Sequence, residues 1–162
     1  MPEAGPPGVP EGRVGQALPR ARAWSHFRVS LPSSRKEKAI IGRVSRSVLV
    51  VDDDSAFRKL AGRLLLASDL IVVGESDSVS AALGDARRLK PSAILVDVEL
   101  PDGDGVSLAR ELAALPWRPR VVLTSINPDI TTSDEAKRAG ARAFVHKADL
   151  PSAPLARLLG DD

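Results

Sequence analysis

VLVVDDD, residues 48–54, is the stretch that decides the fold. Four apolar, β-forming residues lead directly into three aspartates. An unbroken Val/Leu run suits a strand buried on both faces, as in a parallel sheet covered by helices. Open α/β sheets bind their ligands beyond the carboxyl ends of the strands, which is where these acids lie. Adjacent carboxylates repel one another, so we expect a cation to compensate them or some of them to point away.

Four more apolar runs follow the first, at 71–73, 93–96, 121–123 and 143–145. Segments with helical periodicity separate them, and this alternation indicates βαβ units and a parallel sheet. Because such crossovers are right-handed, the pattern predicts an α/β fold of three α/β/α layers with five parallel strands.

The helices are predicted from apolar stripes and from the residues that begin and end them. In the first helix Ser55 is placed as the cap, and the apolar stripe is Phe57, Leu60, Ala61, Leu64 and Leu65. The third and fourth helices are expected over 106–114 and 134–139, with Gly140 ending the fourth. The last is expected to begin at Asp149-Leu150-Pro151.

Composition narrows the class of protein. The sequence has no cysteine, which excludes disulfides and thiolate metal sites and fits a reducing cytoplasm. We find no secretory signal and no apolar run approaching the ~18 residues that span a bilayer, so we expect a cytoplasmic protein with no membrane partner.

Residues 1–46 differ from the rest of the chain. They carry nine basic and three acidic residues, a net charge of +6, whereas residues 47–162 carry 14 and 18, a net charge of −4. Five prolines and four glycines in the first 20 residues, without apolar periodicity, predict a disordered basic extension before a globular domain at 47–160. A basic tail can bind nucleic acid or anionic membrane, but a solvated tail without a dedicated partner is the simpler interpretation.

Polar residues that carry chemistry collect at one edge of the predicted sheet. Asp52 and Asp53 follow the first strand, Asp97 the third, Thr124 ends the fourth, and Lys147 follows the fifth. Carboxylates together with a backbone carbonyl are hard oxygen ligands that suit Mg²⁺. A hydroxyl and an ammonium opposite them suit phosphoryl oxygens, and a central carboxylate, Asp97, could attack phosphorus as a nucleophile.

Taken in order, these residues resemble the receiver domain of two-component response regulators. The acidic pair, the later Asp97, Thr124-Ser125, and Lys147 with an aromatic three residues before it all match. The loop after Asp97, residues 100–105 (LPDGDG), is similar to the family's apolar-Pro-x-x-Asp-Gly turn. The resemblance covers about residues 47–160 and implies a doubly wound, flavodoxin-like sheet with the five predicted strands in the order 2-1-3-4-5.

The resemblance also implies a role for each matched residue. Asp97 would be the phosphoacceptor, in contact with Mg²⁺. Asp53 would bind Mg²⁺ directly and Asp52 through water, with the main-chain carbonyl of Glu99 as a further ligand. Thr124 and Lys147 would contact the phosphoryl group.

A protein of this family receives its phosphoryl group from a sensor histidine kinase or a phosphotransfer protein. Thr124 with Phe144 would then form the switch that reports phosphorylation to the face of the fourth helix, fifth strand and fifth helix, where a downstream protein would bind. Such a chain would be no enzyme toward an external substrate, although it would assist its own phosphoryl transfer and hydrolysis.

Simpler interpretations stand beside these roles. Asp52 and Asp53 could serve only as a helix N-cap pair, and Phe144 could be an ordinary core residue. We expect Asp54 to be a cap or a solvated acid, and His146 to be packed or solvated because residues 47–162 contain no second histidine.

Other functions remain open at this stage. A receiver-like binding module could work without phosphorylation, although such modules often lose the Asp or the Lys. The sequence from Lys147 to Leu150, KADL, is closer to receivers that precede a helix-turn-helix domain, so the chain could also be a remnant of a DNA-binding regulator. We expect no autonomous DNA binding, since no recognition helix follows residue 160.

The start of the chain is itself a hypothesis that can be tested. Val44 lies four residues before the first strand, and valine can be encoded by an alternative start codon. If translation begins there, the intact mass of the natively expressed protein will exclude residues 1–43. A mass that includes Met1 would contradict this hypothesis.

Overall fold

A computed structural model describes residues 46–160. The predicted extension therefore lies outside the described residues except for Arg46. Within these described residues the chain forms seven strands: β1 Ser47–Val51, β2 Ile71–Ser76, β3 Ala93–Asp97, β4 Glu99–Leu100, β5 Gly103–Asp104, β6 Arg120–Ser125 and β7 Ala143–His146. The α-helices are α1 Ser55–Ala67, α2 Val79–Leu89, α3 Gly105–Ala113, α4 Ser133–Arg138 and α5 Leu155–Leu159.

The central sheet has five parallel strands in the order β2-β1-β3-β6-β7. These are the five predicted strands, and in their own numbering the order is 2-1-3-4-5, so the predicted fold class and strand order are confirmed. The sequence did not predict the small antiparallel hairpin β4–β5, in which Glu99 pairs with Asp104 and Leu100 with Gly103.

The VLVV run is buried on both faces, as its composition predicts. Leu49 and Val51 belong to the apolar cluster that α2, α3 and α4 cover, whereas Val48 and Val50 belong to the cluster under α1 and α5. All four residues are at most 1% exposed. Because successive side chains of a strand point to opposite faces, one short strand supplies both layers of the sandwich.

Helix α1 follows the predicted stripe with two corrections. Phe57, Ala61 and Leu65 are buried, but Leu60 is 44% exposed and so does not belong to the core-facing stripe. The cap is Asp54 and not Ser55: the Asp54 carboxylate accepts a hydrogen bond from the Ala56 amide at 2.9 Å, and Ser55 is already the first helical residue. The aspartate takes the position because its extended backbone brings a carboxylate back to the free amides of the first turn.

The chain around Asp149 is not the start of the last α-helix, which corrects that prediction. Residues Lys147–Ser152 form a 3₁₀ helix that contains Pro151, and α5 begins only at Leu155. Ala153, between the two, is extended (φ −71°, ψ 145°). It precedes Pro154, and the proline ring disfavours a helical conformation in the residue before it.

Helix α4 lies close to its predicted position. Its N-cap is Thr132, whose hydroxyl accepts a hydrogen bond from the Glu135 amide, while the Glu135 carboxylate accepts one from the Thr132 amide. This reciprocal pair is a capping box, and it explains why the helix can start directly after the Thr131-Thr132 pair. Gly140, with φ of 87°, follows the helix as predicted.

Gly105, the first residue of α3, lies against the main chain at the end of β3. Its amide donates to the Val98 carbonyl at 2.8 Å, and an added Cβ would overlap the Asp97 carbonyl oxygen and lie 2.6 Å from Val98 Cα. The neighbouring atoms are backbone and cannot rotate away. Glycine is therefore required for the hairpin to return so near to Asp97.

We predict that Gly105→Ala lowers the free energy of unfolding by about 1–3 kcal/mol, because the methyl group must displace main-chain atoms. Gly84→Ala is the matched control in the middle of α2, where an added Cβ meets nothing within 4 Å. That change should raise stability by about 0.5–1 kcal/mol. Urea unfolding of both variants measures the effect, and equal stabilities would contradict the assignment of Gly105.

Candidate functional site

The register of the parallel strands brings the predicted site residues to one edge of the sheet. Val51 pairs with Val96, Asp97 with Thr124, and Ser125 with His146. Asp52 therefore follows β1 next to Asp97, and Lys147 follows β7 on the same edge. Asp97 is the last residue of β3, so the rigidity of the central strand fixes its position.

Lys147 connects the two buried acids of this edge. Its Nζ lies 2.6 Å from Asp52 Oδ2 and 3.2 Å from Asp97 Oδ2. Asp52 is fully buried and Asp97 is 5% exposed. Buried carboxylates are unfavourable unless they are paired, so the ammonium supplies the charge compensation that this end of the sheet needs.

A third contact holds Lys147 from the side of α1. Its Nζ lies 4.2 Å from the centroid of the Phe57 ring. A cation over an aromatic face is attracted by the ring's quadrupole, and the attraction is stronger where water is excluded. Phe57 is 8% exposed, so the ring that faces the ammonium is itself buried.

The second oxygen of each buried acid is bonded to the main chain. Asp52 Oδ1 accepts from the Asp54 amide at 2.9 Å, and Asp97 Oδ1 accepts from the Glu99 amide at 3.1 Å. These bonds set the rotation of each carboxylate and leave Oδ2 of both turned toward Lys147. Asp52 Oδ2 is buried, and the Lys147 ammonium 2.6 Å away is its charged partner.

The pKa values reflect this competition between burial and charge. Burial raises the pKa of Asp97, and the neighbouring Asp52 carboxylate raises it further, although the Glu99 amide and Lys147 act in the opposite direction. Burial alone would lower the pKa of Lys147, but its contacts with Asp52 and Asp97 outweigh burial and raise it. Lys147 therefore remains a cation, and Asp97 is a more basic carboxylate than a solvated one.

Three carboxylates form a group that fits a divalent cation. Asp52, Asp53 and Asp97 each offer an oxygen, and these three oxygens lie within 4.8 Å of one another. Asp53 is exposed, so the group opens to solvent on one side. Hard oxygen donors that converge in this way suit Mg²⁺ or a similar ion.

The two predicted switch residues lie in different surroundings. Thr124 is fully buried, and its hydroxyl lies 3.5 Å from the Val96 carbonyl, the length of a weak hydrogen bond. Phe144 is half-buried and packs against the cluster under α2, α3 and α4. It pairs in register with Leu123, one residue before Thr124.

The other residues singled out from the sequence are also placed. Glu99 is exposed beside the acids, and its carboxylate lies 3.4 Å from the Ser125 hydroxyl. His146 Nε2 lies 2.7 Å from the Ile126 carbonyl oxygen. Since a carbonyl only accepts, His146 must carry its proton on Nε2, and the contact joins the end of β7 to the loop after β6.

Sequence reasoning missed two residues that support the acids. Arg58 donates from Nη1 to the Asp52 carbonyl at 2.7 Å, and its Nε lies 3.9 Å from Glu75 Oε1. Phe57 was identified only as a core residue. The available signal was their helical position: one turn into α1, residues 57 and 58 are near enough to turn back over the acids that precede the helix.

Within residues 46–160, no helix is both long enough and apolar enough to cross a membrane.

Comparison with known proteins identifies the family. The response regulator receiver domain family matches residues 48–154, more than half of the chain. The DNA-binding transcriptional activator DevR/DosR of Mycobacterium tuberculosis is 38% identical over 116 residues, which are 70% of this chain and 52% of that protein. Protein-glutamate methylesterase/protein-glutamine glutaminase 4 of Myxococcus xanthus is 36% identical over 109 residues, 66% of this chain and 31% of that protein. The chain thus spans about a third to a half of the length of these relatives.

Solved structures share the fold. The response regulator domain of Thermotoga maritima CheB superposes with a TM-score of 0.61 at 24% identity, covering 72% of this chain and 97% of that domain. The BeF3-activated N-terminal receiver domain of Klebsiella pneumoniae RstA gives a TM-score of 0.61 at 28% identity, covering 69% and 94%. The strand order and these structures show a flavodoxin-like fold. The family match shows that the chain belongs to the response regulator receiver domains.

Proposed function

We propose that this chain is a phosphoacceptor in a two-component phosphorelay, with Asp97 as the residue that is phosphorylated. One observation carries the proposal: the Lys147 ammonium lies between Asp52 and Asp97, at 2.6 and 3.2 Å, beside a group of three carboxylates. A nucleophile, a countercharge and a place for a divalent cation are what phosphoryl transfer needs, because it depends on positioning and charge neutralisation.

The transfer step can be written with Asp97 as the nucleophile. A carboxylate oxygen of Asp97 forms a P–O bond as the P–N bond of a phosphohistidine on a sensor kinase or phosphotransfer protein breaks. The electron pair of the broken bond leaves with the imidazole nitrogen. Lys147, already within reach of Asp97, would neutralise the added phosphoryl oxygens as they arrive.

The acidic group would hold the cation for this step. Asp53 and Asp97 would bind Mg²⁺ through carboxylate oxygens, Asp52 through water, and Glu99 through its main-chain carbonyl. When bound, Mg²⁺ would neutralise charge on the phosphoryl oxygens and relieve the repulsion between acids. The chain would accept and release a phosphoryl group without turning over an external substrate.

Signalling would begin when a phosphoryl oxygen accepts a hydrogen bond from a nearby hydroxyl. Thr124 would rotate its hydroxyl from the weak contact with the Val96 carbonyl toward the phosphoryl oxygens. The space it leaves would admit Phe144, and the face made by α4, β7 and α5 would change for a downstream protein.

The direct test of phosphorylation is mass spectrometry after incubation with Mg²⁺ and acetyl phosphate. We expect the wild type to gain one phosphoryl mass and Asp97→Asn to gain none, because the amide is not nucleophilic. Asp54→Asn is the matched control, since Asp54 is an exposed helix cap in the same acidic stretch and should be labelled like the wild type. An unlabelled wild type would favour a binding module that works without phosphorylation. Equal labelling of Asp97→Asn would contradict the assignment of Asp97, because the phosphoryl group would then be on another residue.

A second prediction concerns the ring beside Lys147. Phe57→Leu keeps an apolar side chain in the core but removes the aromatic face 4.2 Å from Nζ. The attraction between ring and cation is worth about 1 kcal/mol in such settings and helps to hold Lys147 beside Asp97. We expect phosphorylation by acetyl phosphate to slow by up to roughly fivefold, the factor for a barrier raised by the whole of that energy. The initial rate of labelling measures this effect.

Leu65→Val is the control for the Phe57 variant, because it trims a buried residue of the same cluster and the same helix. It should leave the labelling rate close to that of the wild type. If both variants slow labelling equally, Phe57 acts through core packing and the role of its ring face is wrong.

A further inference from the structure

The hairpin that follows Asp97 is fastened to the start of a different helix. Asp102, in the turn between β4 and β5, accepts hydrogen bonds from the Val79 amide at 2.7 Å and from the Ser80 amide at 3.1 Å. The next amide, of Ala81, donates to the Ser78 hydroxyl at 3.2 Å. Two of the first three amides of α2 are therefore bonded to a residue 22 or 23 positions away, and only the third to a local cap.

The turn also packs closely against α2, in addition to its hydrogen bonds. A Cβ added at Gly103 would lie 3.0 Å from Val79 Cγ2, tighter than an ordinary van der Waals contact. The glycine lets the hairpin backbone rest on Val79 while Asp102 reaches the amides beside it. The turn is thus held by an apolar contact and by two hydrogen bonds.

Asp102 engages these amides as an anion. Its hydrogen bonds with the Val79 and Ser80 amides lower the pKa of the Asp102 carboxyl. A carboxylate at a helix N-terminus also interacts favourably with the helix dipole. The attachment is therefore charge-assisted at neutral pH, which makes it stronger than a neutral cap.

The other end of the hairpin carries the proposed cation ligand. Glu99 begins β4, its amide donates to Asp97 Oδ1 at 3.1 Å, and its partner across the hairpin is Asp104, the N-cap of α3. Each strand has only two residues, so the turn that holds Asp102 lies within three residues of Glu99. We therefore expect a displacement of the turn to change the position of Glu99.

We propose that Asp102 is a positioning residue for the cation site. By fastening the hairpin Glu99–Asp104 to the N-terminus of α2, it holds the main-chain carbonyl of Glu99 where Mg²⁺ would bind. This inference rests on the proposed function, because it concerns the same site. It adds that the affinity for the cation depends on a contact made by a residue that does not touch the cation.

The test compares Asp102→Ala with Ser78→Ala by calorimetric titration with Mg²⁺ alone. Both variants remove hydrogen bonds from the start of α2, but only Asp102 links that helix to the hairpin. We expect Asp102→Ala to weaken Mg²⁺ binding about tenfold, as loss of a supporting contact around a metal site does. Ser78→Ala should bind Mg²⁺ like the wild type. In metal-free buffer both should lower the unfolding temperature, since each leaves amides of the helix uncapped.

Two further variants separate geometry from charge. Asp77→Ala removes an exposed acid directly before Ser78 and changes the net charge by the same amount as Asp102→Ala. It should leave the affinity for Mg²⁺ unchanged, because Asp77 does not hold the hairpin. Asp102→Asn lacks the charge but keeps one acceptor oxygen, so it should bind Mg²⁺ more tightly than Asp102→Ala.

Different results would defeat different claims. If the wild type binds no Mg²⁺ at millimolar concentrations, the proposed function fails. If the wild type binds Mg²⁺ but Asp102→Ala loses no more affinity than Ser78→Ala, only the inference about Asp102 fails. Equal losses in Asp77→Ala and Asp102→Ala would also overturn it, because they would assign the effect to net charge.

Discussion

The ion pairs of Lys147 with Asp52 and Asp97 are the interaction on which the rest of the site depends. Two buried carboxylates lie next to each other at the end of the sheet, and a single ammonium compensates both. One cation cannot neutralise two anions and an exposed third, so the pocket keeps an excess of negative charge. That excess of charge suits a divalent cation, and the Lys147 ammonium offsets part of it when no metal is bound.

The fold determines the positions of these three charged side chains. Residues from β1, β3 and β7 meet because parallel register aligns the ends of those strands. Short loops then restrict the segments that follow these strands. Asp54 caps α1 directly after Asp52 and Asp53, and Gly105 lets α3 begin against the backbone of Asp97. The helices α1 and α3 therefore restrict the main-chain segments that carry the acidic residues of the site.

The sequence predicted those parts of the site that occur at strand ends. Asp52, Asp97, Thr124 and Lys147 each follow or end an apolar run, and parallel topology then brings them together. It could not predict contacts that depend on where helices and turns lie in three dimensions. Phe57 looks like any core residue until Lys147 is placed over its ring, and Asp102 looks like a turn residue until α2 is placed beside it. The errors at Ser55 and Asp149 have local causes instead. Asp54, which was also expected as a cap or a solvated acid, caps α1 in place of Ser55, and Pro154 keeps the preceding residue extended.

We propose that Lys147 and a divalent cation compensate the same carboxylates, and the variant Lys147→Met tests this most directly. Without the ammonium, fully buried Asp52 and nearby Asp97 lose their partner, which should cost about 3 kcal/mol of stability in metal-free buffer. The measurement is the rise in unfolding temperature that saturating Mg²⁺ produces in the variant and in the wild type. We predict a larger rise in Lys147→Met, because the ion then replaces the missing charge. A rise equal to or smaller than that of the wild type would contradict the account.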